Sequence, residues 1–279
     1  MDEIKYLIYT TDLEDVAFIK KNKAAGIECI PAMDARSAAY LATGICAQNQ
    51  EKVFVCVHSG NASRSVFSGM TEAFYRKLPI ILITFGKQQD YSKELNDVVE
   101  GHYIISNIEE IESLQDLKAP MHIEVWGEDY RHDRIHCKRL QELLSEATDT
   151  ATYIYISNAI EAEQVNFQGK VVCGGMPDCY EGALANVLGA SLSQKRKRYI
   201  GLVSEDEFLH DINTLGNINI NDLIFYIVIT GKKNNLIKDY ALSLQFEVEE
   251  IQSDKLQIND IRRLNLNQRK TLLIVYEEE

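Results

Sequence analysis

Short apolar runs rich in β-branched and aromatic residues alternate with segments of helical periodicity along almost the whole chain. KYLIYTT (5–11), IECIPAM (27–33), KVFVCVHS (52–59), PIILITF (79–85), HYIISN (102–107) and MHIEVWG (121–127) form the first series. Strands this continuously apolar cannot leave a face in water, so the pattern predicts parallel sheets covered by helices on both sides. The intervening pattern over 13–26 predicts a helix stopped by Gly26, and Asp34 suits the N-cap of an Ala-rich helix running toward Cys46.

The polar segment GEDYRHDRIHCKR (127–139) interrupts the rhythm, and a second series follows: TYIYIS (152–157), KVVCGG (170–175), KRYIGLV (197–203), LIFYIVITG (223–231), FEVEEI (246–251) and TLLIVYE (271–277). The expected fold class is therefore α/β, with two doubly wound parallel-sheet domains at 1–130 and 138–279. Each has ordinary domain size. The 4 prolines in 279 residues leave little room for a long linker between them.

Composition bounds the function classes. With 46% apolar and 25% charged residues, a packed core is expected rather than disorder. The net charge of −13 repels phosphates and anionic lipids, so neither nucleic acid nor membrane is expected as a partner. LIFYIVIT (223–230) falls far short of the roughly 20 apolar residues that span a bilayer. The N-terminus lacks a basic start and a small-residue cleavage site, which suggests a cytoplasmic protein. The 6 cysteines are scattered without a CxxC and are expected as reduced thiols serving as small hydrophobes.

Three local patterns invite sharper readings. His132 and His136 have the i, i+4 spacing of metal ligands if 132–136 is helical, but a solvated surface is the expectation. Lys195–Arg198 reads as a solvated turn rather than a nucleic-acid patch. Cys56 and His58 share a strand face, which suits a Cys–His pair, yet no orienting third group is evident and a core thiol is favoured.

Two longer stretches carry a resemblance. ARSAAYLATGICAQ followed by KVFVCVHSGNASRSVFSGMTEAFYRKLPIILITFG places Gly44, Ser59, Gly60, Gly69, Ala73 and Pro79 in an ungapped order. That order resembles the pyrimidine-binding domain of thiamine-diphosphate enzymes of the 2-oxo-acid decarboxylase and acetohydroxyacid synthase group. ALANVLGASLSQKRKRYIGLVSEDEF (183–208) and INDLIFYIVITGKKN (220–234) resemble the partner diphosphate-binding domain. The usual middle domain is lacking, as in the compact sulfopyruvate and phosphonopyruvate decarboxylases.

The resemblance implies thiamine diphosphate as cofactor, a homodimer or homotetramer, and a C–C lyase or carboligase acting on a small 2-oxo acid. It further implies that Ser59, Gly60, Asn61 and Ala62 flank the pyrimidine, and that Ser204, Glu205, Lys232 and Asn234 flank the diphosphate. Three diagnostic positions depart from the family. The activating Glu, nine residues before the glycine matched by Gly44, is Ala35 here. Asp34 and Glu72 are the neighbouring acids, although Asp34 suits a cap and the family counterpart of Glu72 is not catalytic. The Gly-Asp-Gly metal motif reads Ser204-Glu205-Asp206, and the metal-binding Asn, twenty-seven residues after the Asp position, is Lys232. An ammonium has no lone pair for Mg2+, so no metal site of the family's kind is expected, and Glu205 is the one remaining candidate ligand. Lys232 either meets an anion in place of the cation or is a solvated loop residue. The implied functions are thus atypical or lost cofactor use, or a role as a non-catalytic partner of a complete thiamine enzyme or as an anion- or metabolite-binding relic of the fold.

Overall fold

The computed structural model describes residues 4–86, 92–113, 118–126, 134–174, 180–193, 195–216, 220–233 and 235–277. The chain divides into two compact units, Met1–His132 and Asp133–Glu279. In the first, the strands are β1 (Tyr6–Thr10), β2 (Glu28–Ala32), β3 (Val53–His58), β4 (Ile80–Gly86), β5 (Gly101–Ile105) and β6 (Met121–Trp126). Its helices are α1 (Ala17–Ala24), α2 (Ala35–Asn49), α3 (Asn61–Ser65), α4 (Phe67–Arg76) and α5 (Ser92–Leu95). All neighbours pair in parallel in the order β2-β1-β3-β4-β6-β5.

Alternation along each strand splits the core in two. Val53, Val55 and Val57 of β3 face a cluster with Ala38, Ala42 and Cys46 of α2 and Met70 and Ala73 of α4. Phe54 and Cys56 face the opposite cluster with Phe18 and Ile19 of α1. A sheet apolar on both faces is thereby removed from water on both faces. Helix α1 begins at Ala17 rather than at 13, because Thr11–Leu13 forms a 3-10 turn that buries Leu13.

The second unit contains β7 (Thr152–Ile156), β8 (Lys170–Cys173), β9 (Arg198–Ser204), β10 (Ile224–Thr230), β11 (Glu247–Gln252) and β12 (Thr271–Tyr276). With them run α6 (Lys138–Ala147), α7 (Ala183–Leu192), α8 (Glu205–His210), α9 (Asn235–Ser243) and α10 (Ile258–Leu266). The sheet is again all parallel, in the order β11-β12-β10-β9-β7-β8. Read from the other edge, this is the strand order of the first unit, six strands later. Leu184 and Val187 of α7, Phe208 of α8 and Ile237 of α9 cover one face. Leu140 and Leu144 of α6 and Ile261 and Leu264 of α10 cover the other. Two α/β doubly wound folds of one topology result. No helix among the described residues is long and apolar enough to cross a membrane.

Three local expectations are corrected. The run Lys195–Arg198 is not uniformly solvated, because Arg198 opens β9 and is 4% exposed. Its guanidinium donates to the carbonyls of Asp222 (3.3 Å), Arg269 (3.2 Å) and Leu264 (3.0 Å), to Thr271 Oγ1 (3.1 Å), and lies over the Phe225 ring. Burial lowers its pKa to about 10, against the opposing charge of Glu247, so it stays cationic at neutral pH. The second correction concerns His136, which does not lie on a helix. Ile135 N–H donates to Ala159 O and Ile135 O accepts from Glu161 N–H, which holds this segment extended until α6 starts. The exposed His136 pairs through Nδ1 with Glu163 at 3.0 Å. His132 and Asp133 lie outside the described residues.

Cys46 and Cys56 are buried, with burial pushing Cys46 up to about 12 and Cys56 well above the usual thiol range. The third correction concerns Cys173, which is exposed at the end of the edge strand β8 and so does not serve as core filler. Replacing Arg198 by Met is expected to cost about 3 kcal/mol, since three carbonyls lose a charged donor. Urea denaturation of the two proteins measures this as a lowered midpoint at unchanged slope.

Candidate functional site

In a doubly wound sheet, the place where successive connections leave in opposite directions opens a crevice beyond the carboxyl ends of two strands. Here that place lies between β1 and β3 in the first unit and between β7 and β9 in the second.

At the first crevice, β1 runs into Thr10, Thr11 and Asp12, and β3 ends on His58. The Asp12 and His58 side chains are both buried, with Asp12 Oδ2 at 3.7 Å from His58 Nε2. Thr10 Oγ1 and Thr11 Oγ1 are buried without a hydrogen-bond partner. Ser59 follows, its N–H donating to Phe85 O at 2.8 Å. Gly60 turns the chain at φ 87°, ψ −130°, a conformation that a Cβ disfavours. Ser63 Oγ closes the turn on Gly60 O at 2.6 Å. Asn61 starts α3, and Ala62 packs on the core below. Ser59 sits directly over the end of β4, where a Cβ on Gly86 would fall 1.8 Å from Ser59 Oγ. Cys56 shares the strand with His58 but belongs to the packed core, and its high pKa makes it a poor nucleophile.

Neither neighbouring acid reaches this turn as a free carboxyl. Asp34 caps α2, with Oδ1 accepting from Ser37 N–H and Oδ2 from Ser37 Oγ, each at 2.7 Å. Ala35 is the first residue of α2 and is 1% exposed within the core. Glu72 lies on α4 and pairs with Arg76 at 2.6 Å, an i, i+4 surface bridge.

At the second crevice, Ser204 ends β9 and caps α8. Sequence reasoning missed the residue that organises this edge, Glu207, although Ser204-x-x-Glu207 has capping-box spacing. Glu207 is fully buried. One carboxylate oxygen accepts from Ser204 N–H (3.0 Å), Ser204 Oγ (3.1 Å) and Ser157 Oγ, and the other from Ala159 N–H (3.0 Å). It thus ties the end of β7 to the end of β9. Burial raises its pKa, and the hydrogen bonds from Ser157, Ser204 and Ala159 oppose that rise.

Lys232 follows β10, which neighbours β9 in a register placing Ile229 beside Ser204. Ser204 and Lys232 therefore share one edge of the sheet. Thr230 Oγ1 donates to Lys232 O at 2.6 Å, leaving the Lys232 side chain exposed. Lys233 Nζ lies 5.1 Å from the Tyr276 ring centre. Asn234 lies outside the described residues. Of the polar groups at this edge, Ser204 and Glu207 bond to one another, Glu207 accepts bonds on both oxygens, and Lys232 has no lone pair to offer a cation. Glu205 is half-buried at the start of α8 and Asp206 is exposed.

Residues 4–112 match the family model of the thiamine pyrophosphate enzyme N-terminal TPP binding domain. Over these residues the first unit is similar to the pyrophosphate-cofactor domain of thiamine-diphosphate enzymes. No curated protein matches the chain. Benzoylformate decarboxylase from Polynucleobacter necessarius aligns over 98% of this chain and 96% of its own at 8% identity. Its TM-score is 0.36, so the family likeness rests on residues 4–112.

Two outcomes follow from the geometry of these edges. Glu207 has a folded pKa above its ordinary 4.5, so its protonated form is favoured by folding. Its contribution is fully present below the unfolded pKa and is lost as pH rises through the folded value. Glu207→Gln is expected to flatten that part of the stability–pH curve, while costing about 1–3 kcal/mol through a mismatched amide donor. Urea midpoints between acid and neutral pH measure both effects. Gly86→Ala is expected to displace Ser59 and lower the melting temperature, since Ser59 Oγ must leave its seat.

Proposed function

We propose that this chain is a two-domain thiamine-diphosphate-fold protein, pyrimidine-type then diphosphate-type. In this reading it has left the family's Glu-driven, metal-anchored chemistry and serves as a non-catalytic binding or partner subunit. The observation that carries the proposal is the start of α2. Ala35, which the resemblance puts at the position of the activating acid, is sealed in the core, and both oxygens of Asp34 are engaged by Ser37. A carboxyl committed to a helix cap is not available to move a proton on an aminopyrimidine. The shared strand order of the two units supports the assignment of the second domain.

In this reading Ser59, Gly60, Asn61 and Ala62 are the vestige of the pyrimidine side. Ser204, Glu205, Lys232 and Asn234 are that of the diphosphate side, with the exposed Lys232 as the point charge for an anion. The subunit assembles as a homodimer or homotetramer, or on a complete thiamine enzyme, in the cytoplasm.

A second reading is favoured by one observation. The buried Thr10 and Thr11 hydroxyls without partners, beside Asp12, His58 and the Ser59–Gly60 turn, are polar atoms placed to meet a ligand. It makes the protein an atypical thiamine-dependent lyase or carboligase on a small 2-oxo acid.

Calorimetric titration with thiamine diphosphate, first with Mg2+ and then with EDTA, separates the readings when followed by a screen for 2-oxo-acid consumption. The expected result is no magnesium-dependent binding and no turnover. Ligand at a hundred times its Kd would stabilise the fold by about 2.7 kcal/mol, so micromolar binding cannot escape a melting curve. Binding that persists in EDTA and is lost in Lys232→Ala supports an anion site without metal. Binding that requires Mg2+, with turnover of a 2-oxo acid, overturns the proposal.

A further inference from the structure

The first sheet holds a polar cluster that neither crevice uses. Residues 122 and 124 of β6 point to the same face, because side chains alternate along a strand. His102 of β5 stands opposite His122 in register, and Thr84 of β4 stands opposite Glu124. These four residues therefore converge on the half of the sheet away from β1 and β3.

The contacts within the cluster are specific. His102 Nε2 and Glu124 Oε1 are 2.9 Å apart. His122 Nδ1 is 4.0 Å from the same Oε1 and has no hydrogen-bond partner, although His122 is fully buried. Its other nitrogen, Nε2, is 2.9 Å from Thr84 Oγ1. Trp126 Nε1 donates to Glu124 Oε2 at 3.0 Å. The imidazole rings of His102 and His122 are 5.0 Å apart, centre to centre. Burial, and after it the charge of His102, lowers the pKa of His122 to about 3, so its ring is neutral.

We propose that His102, His122 and Glu124 form a binding site for a divalent transition ion of the zinc type. One ligand atom from each lies within 4.8 Å of the others. Around a tetrahedral ion with ligands at about 2.0–2.1 Å, neighbouring ligand atoms stand about 3.3 Å apart, so the site closes by small side-chain shifts. A Thr84 oxygen accepting from Nε2–H leaves the Nδ1 lone pair of His122 directed into the cluster. Trp126 in turn holds the second oxygen of Glu124. Such outer partners orient metal ligands and fix the imidazole tautomer.

Two imidazoles and one carboxylate suit zinc and its neighbours in the first transition row rather than Mg2+ or Ca2+, which take oxygen. His102, with 15% of its side chain exposed, marks the open side where an ion enters and a water completes the shell. A buried Nδ1 with nothing to accept or donate is the feature that a His–Glu hydrogen bond alone leaves unexplained. The site does not depend on whether the chain binds thiamine diphosphate.

The test uses the full chain, stripped with EDTA and titrated with Zn2+ or Co2+ alone. The expected result is one equivalent bound, a raised melting temperature, and a tetrahedral-type visible spectrum with Co2+. X-ray absorption of the zinc-loaded wild type is expected to show two imidazole nitrogens among the ligands. His102→Ala and Glu124→Gln are each expected to weaken binding by at least about tenfold, the scale at which even outer-shell losses are felt. His136→Ala, on the surface of the other unit, is expected to leave it unchanged. Absence of stoichiometric binding, or a bound ion without two imidazoles, overturns the proposal. Unchanged affinity in both variants does so as well. If the variants fail to fold, the ligand count on the wild type decides alone.

Discussion

Everything in this protein depends on keeping two all-parallel sheets dry on both faces. A parallel pair cannot be joined by a hairpin, so each connection must cross the sheet as a helix or a long loop, and the crossings supply the cover. Val53, Val55 and Val57 on one side of β3, with Phe54 and Cys56 on the other, show how completely the central strands are committed. The polar groups of the two crevices emerge at the carboxyl ends of the strands, whereas His122 and Glu124 are buried on the sheet face itself.

The two crevices meet that situation in different ways. In the second unit, Glu207 accepts from the ends of β7 and β9 and from the residue after Ser157's neighbour, so the edge is stitched by a buried carboxylate. In the first unit, the corresponding edge keeps Asp12 beside His58 and two hydroxyls without partners. One edge is closed around its own polar groups, whereas the other presents them at a glycine turn. A buried carboxyl so placed depends on the donors that reach it, and those donors tie it to the ends of β7 and β9.

The positions singled out by the resemblance have surroundings that residue types alone do not reveal. Asp34 suits an N-cap by sequence, and its carboxylate accepts from Ser37 N–H and Oγ at the start of α2. Lys232 reads as a substitute for a metal ligand, but the turn engages its carbonyl through Thr230 and leaves its side chain in water. Glu207 escapes notice in the sequence because a capping box is a common local motif. Only the approach of Ser157 and Ala159 from β7 makes it the centre of an edge.

The sequence by itself determined the architecture: the twelve strands among the described residues fall on the twelve strand-like runs, because such runs alternating with helical segments admit little besides a sheet covered on both faces. Residue type alone also says that the side chains of Ala35 and Lys232 carry no oxygen or nitrogen lone pair for a proton or a cation at neutral pH, whatever surrounds them. Tertiary structure alone decided what the remaining polar residues do. Arg198 sits in a charged run that reads as surface, yet the sheet end turns it inward onto three carbonyls. His102, His122 and Glu124 are ordinary residues on two strands until β5 and β6 pair in a register that sets them face to face. Register and burial are long-range properties, fixed by how strands far apart in the chain align, and no local pattern encodes them.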